Sequence, residues 1–328
     1  MTRHSFIQRF GTRAATETKL PYHVISRIIV CVLLAFVGTR ASPAWAQIYN
    51  YETDQMIPGT QGITPGPGID LGGWNTPGHE LQSANLGHIN LTNASFAMSD
   101  VTGAYFYESN LTNVNFSGAI IKGAYLLDTV GFIASQLYST ASYASGDLTG
   151  INLATSDLTG WNFANQNLTG TNLNSSTLTD ANFTNADLTS TGLESTTLTN
   201  ANFSGAIVTE TDFENATSNG LTASQLYSTA SYVSGNLAGI KLGQNNLTGW
   251  NFANQNLTGT NLNSSTLINT NFTNANLTNG NLYFSTLTNA NLGGATITGA
   301  AFDGVAGLRA CLKSAVGSRS GEGVSYAA

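Results

Sequence analysis

Between Leu81 and Phe302 an apolar side chain stands at nearly every fifth position. In a first block the centres are Leu81, Leu86, Leu91, Phe96, Val101, Phe106, Leu111, Phe116, Ile121 and Leu126. A second series runs from Leu148 through Leu168, Phe183 and Leu188 to Phe213, and a third from Leu237 to Phe302. An amphipathic helix would space its apolar residues by three and four, and a half-buried strand would alternate them, so neither element accounts for a strict five. A leucine-rich repeat is excluded as well, because its unit is about 20–29 residues long and mixes several leucine spacings. Polar positions keep the same phase. Two residues before the centre stands a small residue, as in Ala84, Ala94, Ala181 and Ala290; Asn or Asp usually precedes the centre, and Thr or Ser usually follows it.

Runs such as Ala181-Asn182-Phe183-Thr184-Asn185, Ala186-Asp187-Leu188-Thr189-Ser190 and Ala275-Asn276-Leu277-Thr278-Asn279 resemble the pentapeptide-repeat family, and the likeness covers most of the chain after residue 80. The resemblance implies an all-β fold, a right-handed quadrilateral β-helix interrupted by short helical linkers. One pentad would form each side, with the centre and the small residue two before it turned inward. Four pentads would close a coil of about 20 residues, stacked at about 4.8 Å. Ordering one coil costs more backbone entropy than its four buried side chains return, so stability must come from stacking, and both ends need covers. Thr149, Thr169, Thr189 and Thr209, spaced 20 apart, are predicted to form one column.

A longer repeat lies over the short one. Gly160 to Leu168 recurs unchanged from Gly249, an offset of 89, and Ser135 to Tyr143 recurs from Ser224 at the same offset. Between blocks the phase breaks, and Thr222-Ala223-Ser224-Gln225 has the spacing of a capping box, which predicts a short helix. The earlier copy has Ile133 in place of Thr222, so a weaker cap is expected there. The organisation read from these breaks is a signal segment (1–46), an irregular N-terminal cover (47–80), a first repeat block (81–130), a helical linker (131–142), a second block (143–214), a second linker (215–231), a third block (232–306) and a polar tail (307–328).

The signal reading rests on Arg3, Arg9, Arg13, Lys19 and Arg27, followed by the apolar run Ile28 to Gly38 and then Ala44-Trp45-Ala46, the layout of an export signal cleaved after Ala46. The apolar run has 11 residues, short of the roughly 20 that span a bilayer. Its Cys31 is followed by most of the apolar run, which argues against a lipid-attachment site. Cleavage would leave Cys311 without an intramolecular partner. A secreted, periplasmic or envelope location is therefore expected, with no membrane span after cleavage.

The chain carries 11 Lys and Arg against 18 Asp and Glu. After cleavage five basic residues (Lys122, Lys241, Arg309, Lys313, Arg319) would remain against 17 acidic ones, a formal charge of −12. Direct nucleic-acid binding needs a basic footprint and is not expected. Candidate chemistry is sparse. His79-Glu80 and His88 could supply metal ligands, although surface residues beside a cover are the plainer reading. Glu210, Asp212 and Glu214 form the only tight acidic group, which alternation would direct to one side as a cation site or as a solvated edge. Trp161 and Trp250 stand at inward positions that normally hold Ala, either as aromatic platforms for a ligand or as seals at the block junctions. Asn-x-Thr triplets such as Asn167-Leu168-Thr169 follow from the repeat itself rather than from a need for glycosylation.

No catalytic, cofactor or metal residue is assigned, and no ligand-binding residue can be named. The expected function is that of an exported, non-enzymatic scaffold or binding protein whose flat polar faces contact a protein or an envelope polymer, with end-to-end self-association as a further possibility. Some members of the resembled family are acidic DNA mimics that bind a topoisomerase, and the negative charge is similar, but export argues against that role. Binding to an ordered lattice or a polysaccharide would favour an unbroken Thr array, and Ile268 interrupts the column containing Thr248 and Thr288. A β-helix polysaccharide enzyme would need clustered carboxylates or basic residues on one face.

Overall fold

The computed structural model describes residues 47–76 and 78–308. The expected signal segment with Cys31, and the part of the tail beyond Leu308 that contains Cys311, lie outside the described residues.

Each pentad forms one side of a coil. The Leu168 N–H donates to Asp187 O of the next coil at 2.8 Å, and the Leu168 carbonyl accepts from Thr171 N at 2.9 Å across the turn that ends the side. The third residue of this turn takes a positive φ, 65° at Gly170, 56° at Asn185 and 58° at Asp180. Gly, Asn, Asp and Ser fill most such places because they enter the left-handed region at least cost.

Turn chemistry also explains the polar grammar. Asp187 Oδ1 accepts from Thr189 N at 2.9 Å and from Thr189 Oγ1 at 2.6 Å, so the short side chain before the centre fixes the hydroxyl after it. Asn adds a donor, and Asn182 Nδ2 reaches Asn162 Oδ1 of the preceding coil at 3.0 Å.

Inside, the centres and small residues are dry: Leu188, Phe183, Ala181 and Ala186 are fully buried. Phe163, Phe183 and Phe203 stack in a column, with successive ring centroids 5.3 and 5.2 Å apart. Where Thr replaces the small Ala, its hydroxyl donates to a carbonyl of the preceding coil, as Thr191 Oγ1 does to Leu168 O at 2.8 Å and Thr211 Oγ1 to Leu188 O at 2.7 Å. A buried hydroxyl with a partner costs little, so the interior tolerates these positions.

Coils pair in parallel at a spacing of 20 residues, as in Asn90 with Asn110, Asn162 with Asn182 and Asn256 with Asn276. The predicted Thr column is present: Gly150 N bonds Thr169 O, Gly170 N bonds Thr189 O and Ser190 N bonds Thr209 O, and the Thr189 and Thr209 hydroxyl oxygens lie 3.3 Å apart.

Pairing begins before Leu81. Asp70 bridges Ser95 in parallel, and Leu71 is fully buried. The hairpin β1 (Asn75–Thr76) and β2 (His79–Glu80) then interrupts the coil. The sequence hides this start because Thr76 stands where the next apolar centre would fall. Further back, Tyr49 bridges Met56 and Asn50 bridges Ala84, both antiparallel, so the edge of the first coil is partly paired.

Beyond the hairpin the ladder spacing widens at two further places, where Tyr125 pairs with Asn152 and Asp212 with Lys241. The first insertion holds α1 (Ala134–Tyr138) and α2 (Ala141–Ala144). The second holds a 3₁₀ turn (Thr217–Asn219), α3 (Ala223–Tyr227) and α4 (Ala230–Val233). Each linker thus carries a pair of α-helices and runs past the end the sequence suggests. The cause is a second cap: Thr140 Oγ1 accepts from Tyr143 N, and Thr229 Oγ1 from Tyr232 N, each at 3.1 Å. Helix α1 is as long as α3 although Ile133 offers no acceptor. Gln136 still accepts the Ile133 N–H at 2.8 Å, and its Nε2 donates to Leu111 O at 2.8 Å and Val114 O at 2.9 Å. Among the described residues no helix is long and apolar enough to cross a membrane.

Candidate functional site

The structure separates the two imidazoles that the sequence places near one another. His79 stacks on Trp74 with ring centroids 3.7 Å apart, whereas His88 Nδ1 lies 3.0 Å from Glu108 Oε2. Among the described residues no group of three or more His, Cys, Asp or Glu side chains is arranged to hold a metal ion.

The acidic group is engaged in coil stacking. Glu210 occupies the turn, with φ of 58°, so simple alternation does not hold and only Asp212 and Glu214 flank Phe213 on one side. Ser190 Oγ donates to Glu210 at 2.5 Å, Lys241 Nζ donates to Asp212 Oδ2 at 3.0 Å, and Gln244 Nε2 donates to Glu214. Lys241 and Gln244 come from the coil beyond the second linker, so these contacts staple the junction. A shallow open groove of about 470 Å³, lined in part by Asn172, Gly192, Glu210, Asp212 and Lys241, lies beside them.

Trp161 and Trp250 are each 8% exposed, which leaves no face free as a platform. Trp161 packs against Phe132, Tyr138 and Phe163 at centroid distances of 6.0, 6.4 and 6.1 Å. Trp250 meets Tyr227 at 6.3 Å and Phe252 at 6.2 Å. The linker tyrosines also replace a missing ladder. Asn162 N donates to Tyr138 Oη at 2.6 Å, and Tyr143 Oη donates to Asn162 O at 3.0 Å. In an unbroken stack these two main-chain groups would find backbone partners in the preceding coil, as Asn182 N does with Trp161 O. Tyr227 and Tyr232 serve Asn251 in the same way. Both tryptophans therefore seal junctions. An open groove of about 590 Å³ beside the second junction touches Trp250, Leu221, Thr222, Gln244 and Asn245.

One surface went unread in the sequence. On the first block Tyr51 lies flat on Tyr105, with centroids 4.1 Å apart and an interplanar angle of 6°. Tyr125 and Tyr107 stand 5.9 and 5.8 Å from Tyr105. Gly87 makes room for this stack, since a Cβ there would come within 2.8 Å of the Tyr105 ring. The Tyr107 phenol is pushed up to about 12, first by its hydrogen bond to Glu108 and then by desolvation and neighbouring negative charge. The Glu108 carboxyl is held below its usual range, first by the Tyr107 bond, with His88 adding to the effect. Burial, and then Tyr51 and Glu108, raise Tyr105. A readable signal existed: Tyr105 and Tyr125 are 20 apart, the same spacing as in the Thr column.

A family model for pentapeptide repeats matches residues 84–123, 147–185, 156–194, 176–215, 236–274 and 265–304, with eight copies. Among solved structures the chain is similar to HetL, a pentapeptide repeat protein involved in heterocyst differentiation regulation from the cyanobacterium Nostoc sp. strain PCC 7120. That match has 21% identity over 73% of this chain and 87% of HetL, with a TM-score of 0.25. It is also similar to a trypsin-treated variant of QnrB1, a plasmid-mediated fluoroquinolone resistance protein, at 15% identity over 76% of this chain and 95% of that one, TM-score 0.23. A third similar structure is a pentapeptide repeat protein from the Arabidopsis thaliana thylakoid lumen, at 17% identity over 43% of this chain and 68% of that one, TM-score 0.13. No protein of curated function matches the sequence significantly. With more than half of its length matched by the repeat model, the chain belongs to the pentapeptide-repeat family of right-handed quadrilateral β-helices.

Proposed function

We propose that the protein is an exported, non-enzymatic binding protein that uses the flat outer faces of its β-helix to contact another protein or an envelope polymer. One observation carries the reading: the outward side chains form bonded columns rather than a reactive cleft. Asn256 Nδ2 reaches Asn236 Oδ1 at 3.2 Å, Asn271 Nδ2 reaches Asn251 Oδ1 at 3.0 Å, and the Thr hydroxyls are tied to Asn or Asp beside them. Such a surface is pre-ordered, so a partner that docks on it meets little loss of side-chain entropy. Export follows from the basic and apolar N-terminal pattern and from Ala44-Trp45-Ala46.

The test is fractionation of the native host combined with N-terminal sequencing and cross-linking of the native protein. A processed form beginning at Gln47 outside the cytoplasm, cross-linked to an envelope component, is expected. An uncleaved cytoplasmic form would contradict the reading and favour a topoisomerase-binding DNA mimic instead.

A further inference from the structure

We infer that the aromatic and acidic patch on the first block, formed by Tyr51, Tyr105, Tyr107 and Tyr125 with Glu108 and Asp128, docks an arginine-bearing segment of a protein partner. The inference rests on the non-enzymatic binding role proposed above and gives the partner its chemistry.

Geometry supplies the first argument. Tyr51 and Tyr125 are 47% and 42% exposed, so ring surface meets solvent on a face where other coils present small or polar residues such as Asn. In the ladder that carries Tyr105 and Tyr125, the following positions are Asn152 and Asn172, so the aromatic patch is confined to the first block. Tyr105 itself is held between Tyr51 and the bare backbone at Gly87, which makes the stack rigid. Rigid aromatic side chains lose little entropy when a partner settles on them.

Charge supplies the second. Glu108 and Asp128 sit at successive turns beside the rings, with φ of 54° and 55°. Lys122 and Lys241 are the only Lys or Arg between residues 47 and 308, and each is in an ion pair elsewhere, with Asp147 at 2.9 Å and Asp212 at 3.0 Å. The one imidazole at the patch, His88, contacts Glu108 and sets its ring edge-on to Tyr107 at 5.3 Å. The patch therefore combines π faces with the carboxylates of Glu108 and Asp128, whose charge adds to the hydrogen bond and desolvation that raise the Tyr107 phenol.

A guanidinium fits this combination best. It is planar, stacks on a Tyr face, and presents a donor fork to a carboxylate, whereas an ammonium is a compact, strongly hydrated point charge. A neutral sugar could stack on the rings and donate hydroxyls to the carboxylates, but it brings no opposite charge to neutralise them.

The test is calorimetric titration of the full chain with nona-arginine, nona-lysine and a neutral chito-oligosaccharide at moderate salt. Nona-arginine is expected to bind more tightly than nona-lysine. Tyr125→Ala and Glu108→Gln should each weaken nona-arginine about tenfold, the size of a partly desolvated cation–π or charge-assisted contact. Tyr125→Phe should bind like the parent, because the ring face is kept, and unchanged melting of the variants separates lost binding from lost folding. Equal losses on neutralising the distant Glu194 would show general attraction to net charge and overturn the inference. So would oligosaccharide binding that disappears in Tyr125→Ala. If the patch variants bind like the parent while the native protein still cross-links to an envelope component, the patch inference fails and the broader binding role stands.

Discussion

The two linkers share a run of ten identical residues, Ala134 to Tyr143 and Ala223 to Tyr232, yet the chain enters them differently. The second passes through a 3₁₀ turn held by buried Asn245, whose Oδ1 accepts from Thr217 N and whose Nδ2 donates to Phe213 O, each at 2.8 Å. It then meets a complete capping box at Thr222 and Gln225. The first has neither turn nor hydroxyl cap, and Ile133 is 55% exposed. Both nevertheless end in the same helix pair under the same Trp. The comparison teaches that docking, rather than the local cap, sets the linker. Gln136 and Gln225 each bond two carbonyls of the preceding coil, and each tyrosine pair satisfies one Asn of the next.

If docking governs, breaking the shared contacts should damage both junctions. Trp161→Ala and Trp250→Ala should each cost about 3–5 kcal/mol, as for other large aromatic truncations, with Trp161 the worse because it alone has the Phe132 contact. Chemical denaturation measures the two losses side by side. Next, Gln136→Ala strands the Val114 carbonyl, leaves Leu111 O with only the Val114 N–H, and should cost about 1–3 kcal/mol; Gln225→Ala should cost less, since Gln225 is only partly buried and Thr222 still caps α3. Reversed sizes in urea titrations would mean that the cap, not the dock, is in control. Tyr138→Phe and Tyr227→Phe should each cost about 1 kcal/mol by removing the partner of Asn162 or Asn251 N–H, and hydrogen exchange at those two amides should quicken. The smallest effects belong to the cap itself: Thr222→Ala should lose about 1 kcal/mol and Ile133→Thr should gain up to about the same amount, read as small opposite shifts in melting.

The sequence made the regular stack legible because each pentad repeats one solution: a centre for the core, an Asx side chain for the turn, a residue tolerant of positive φ. It also placed Trp161 and Trp250 at junctions, where the structure buries them. It hid what depends on contacts across long separations. The second helix of each pair is four residues long and too short for periodicity to reveal. The early start at Asp70 is masked by the β1–β2 hairpin. Among candidate sites, Glu210, Asp212 and Glu214 read as a group, but their partners Ser190, Lys241 and Gln244 come from other coils. The tyrosine patch needs Tyr51, from the segment between the bridged residues Tyr49 and Met56, to complete a column begun by Tyr105 and Tyr125.

The central claim is that one residue in five points into a dry, stacked interior while its neighbour faces out. Leu188→Asp and Thr189→Asp put the same charge one residue apart, at a fully buried centre and at a partly buried outward position. Thermal melting by circular dichroism should show the first variant unfolding the second block, because an unpaired carboxylate cannot be solvated inside, and the second melting within several degrees of the parent. Equal melting of the two variants would contradict the inward assignment and, with it, the β-helix as described.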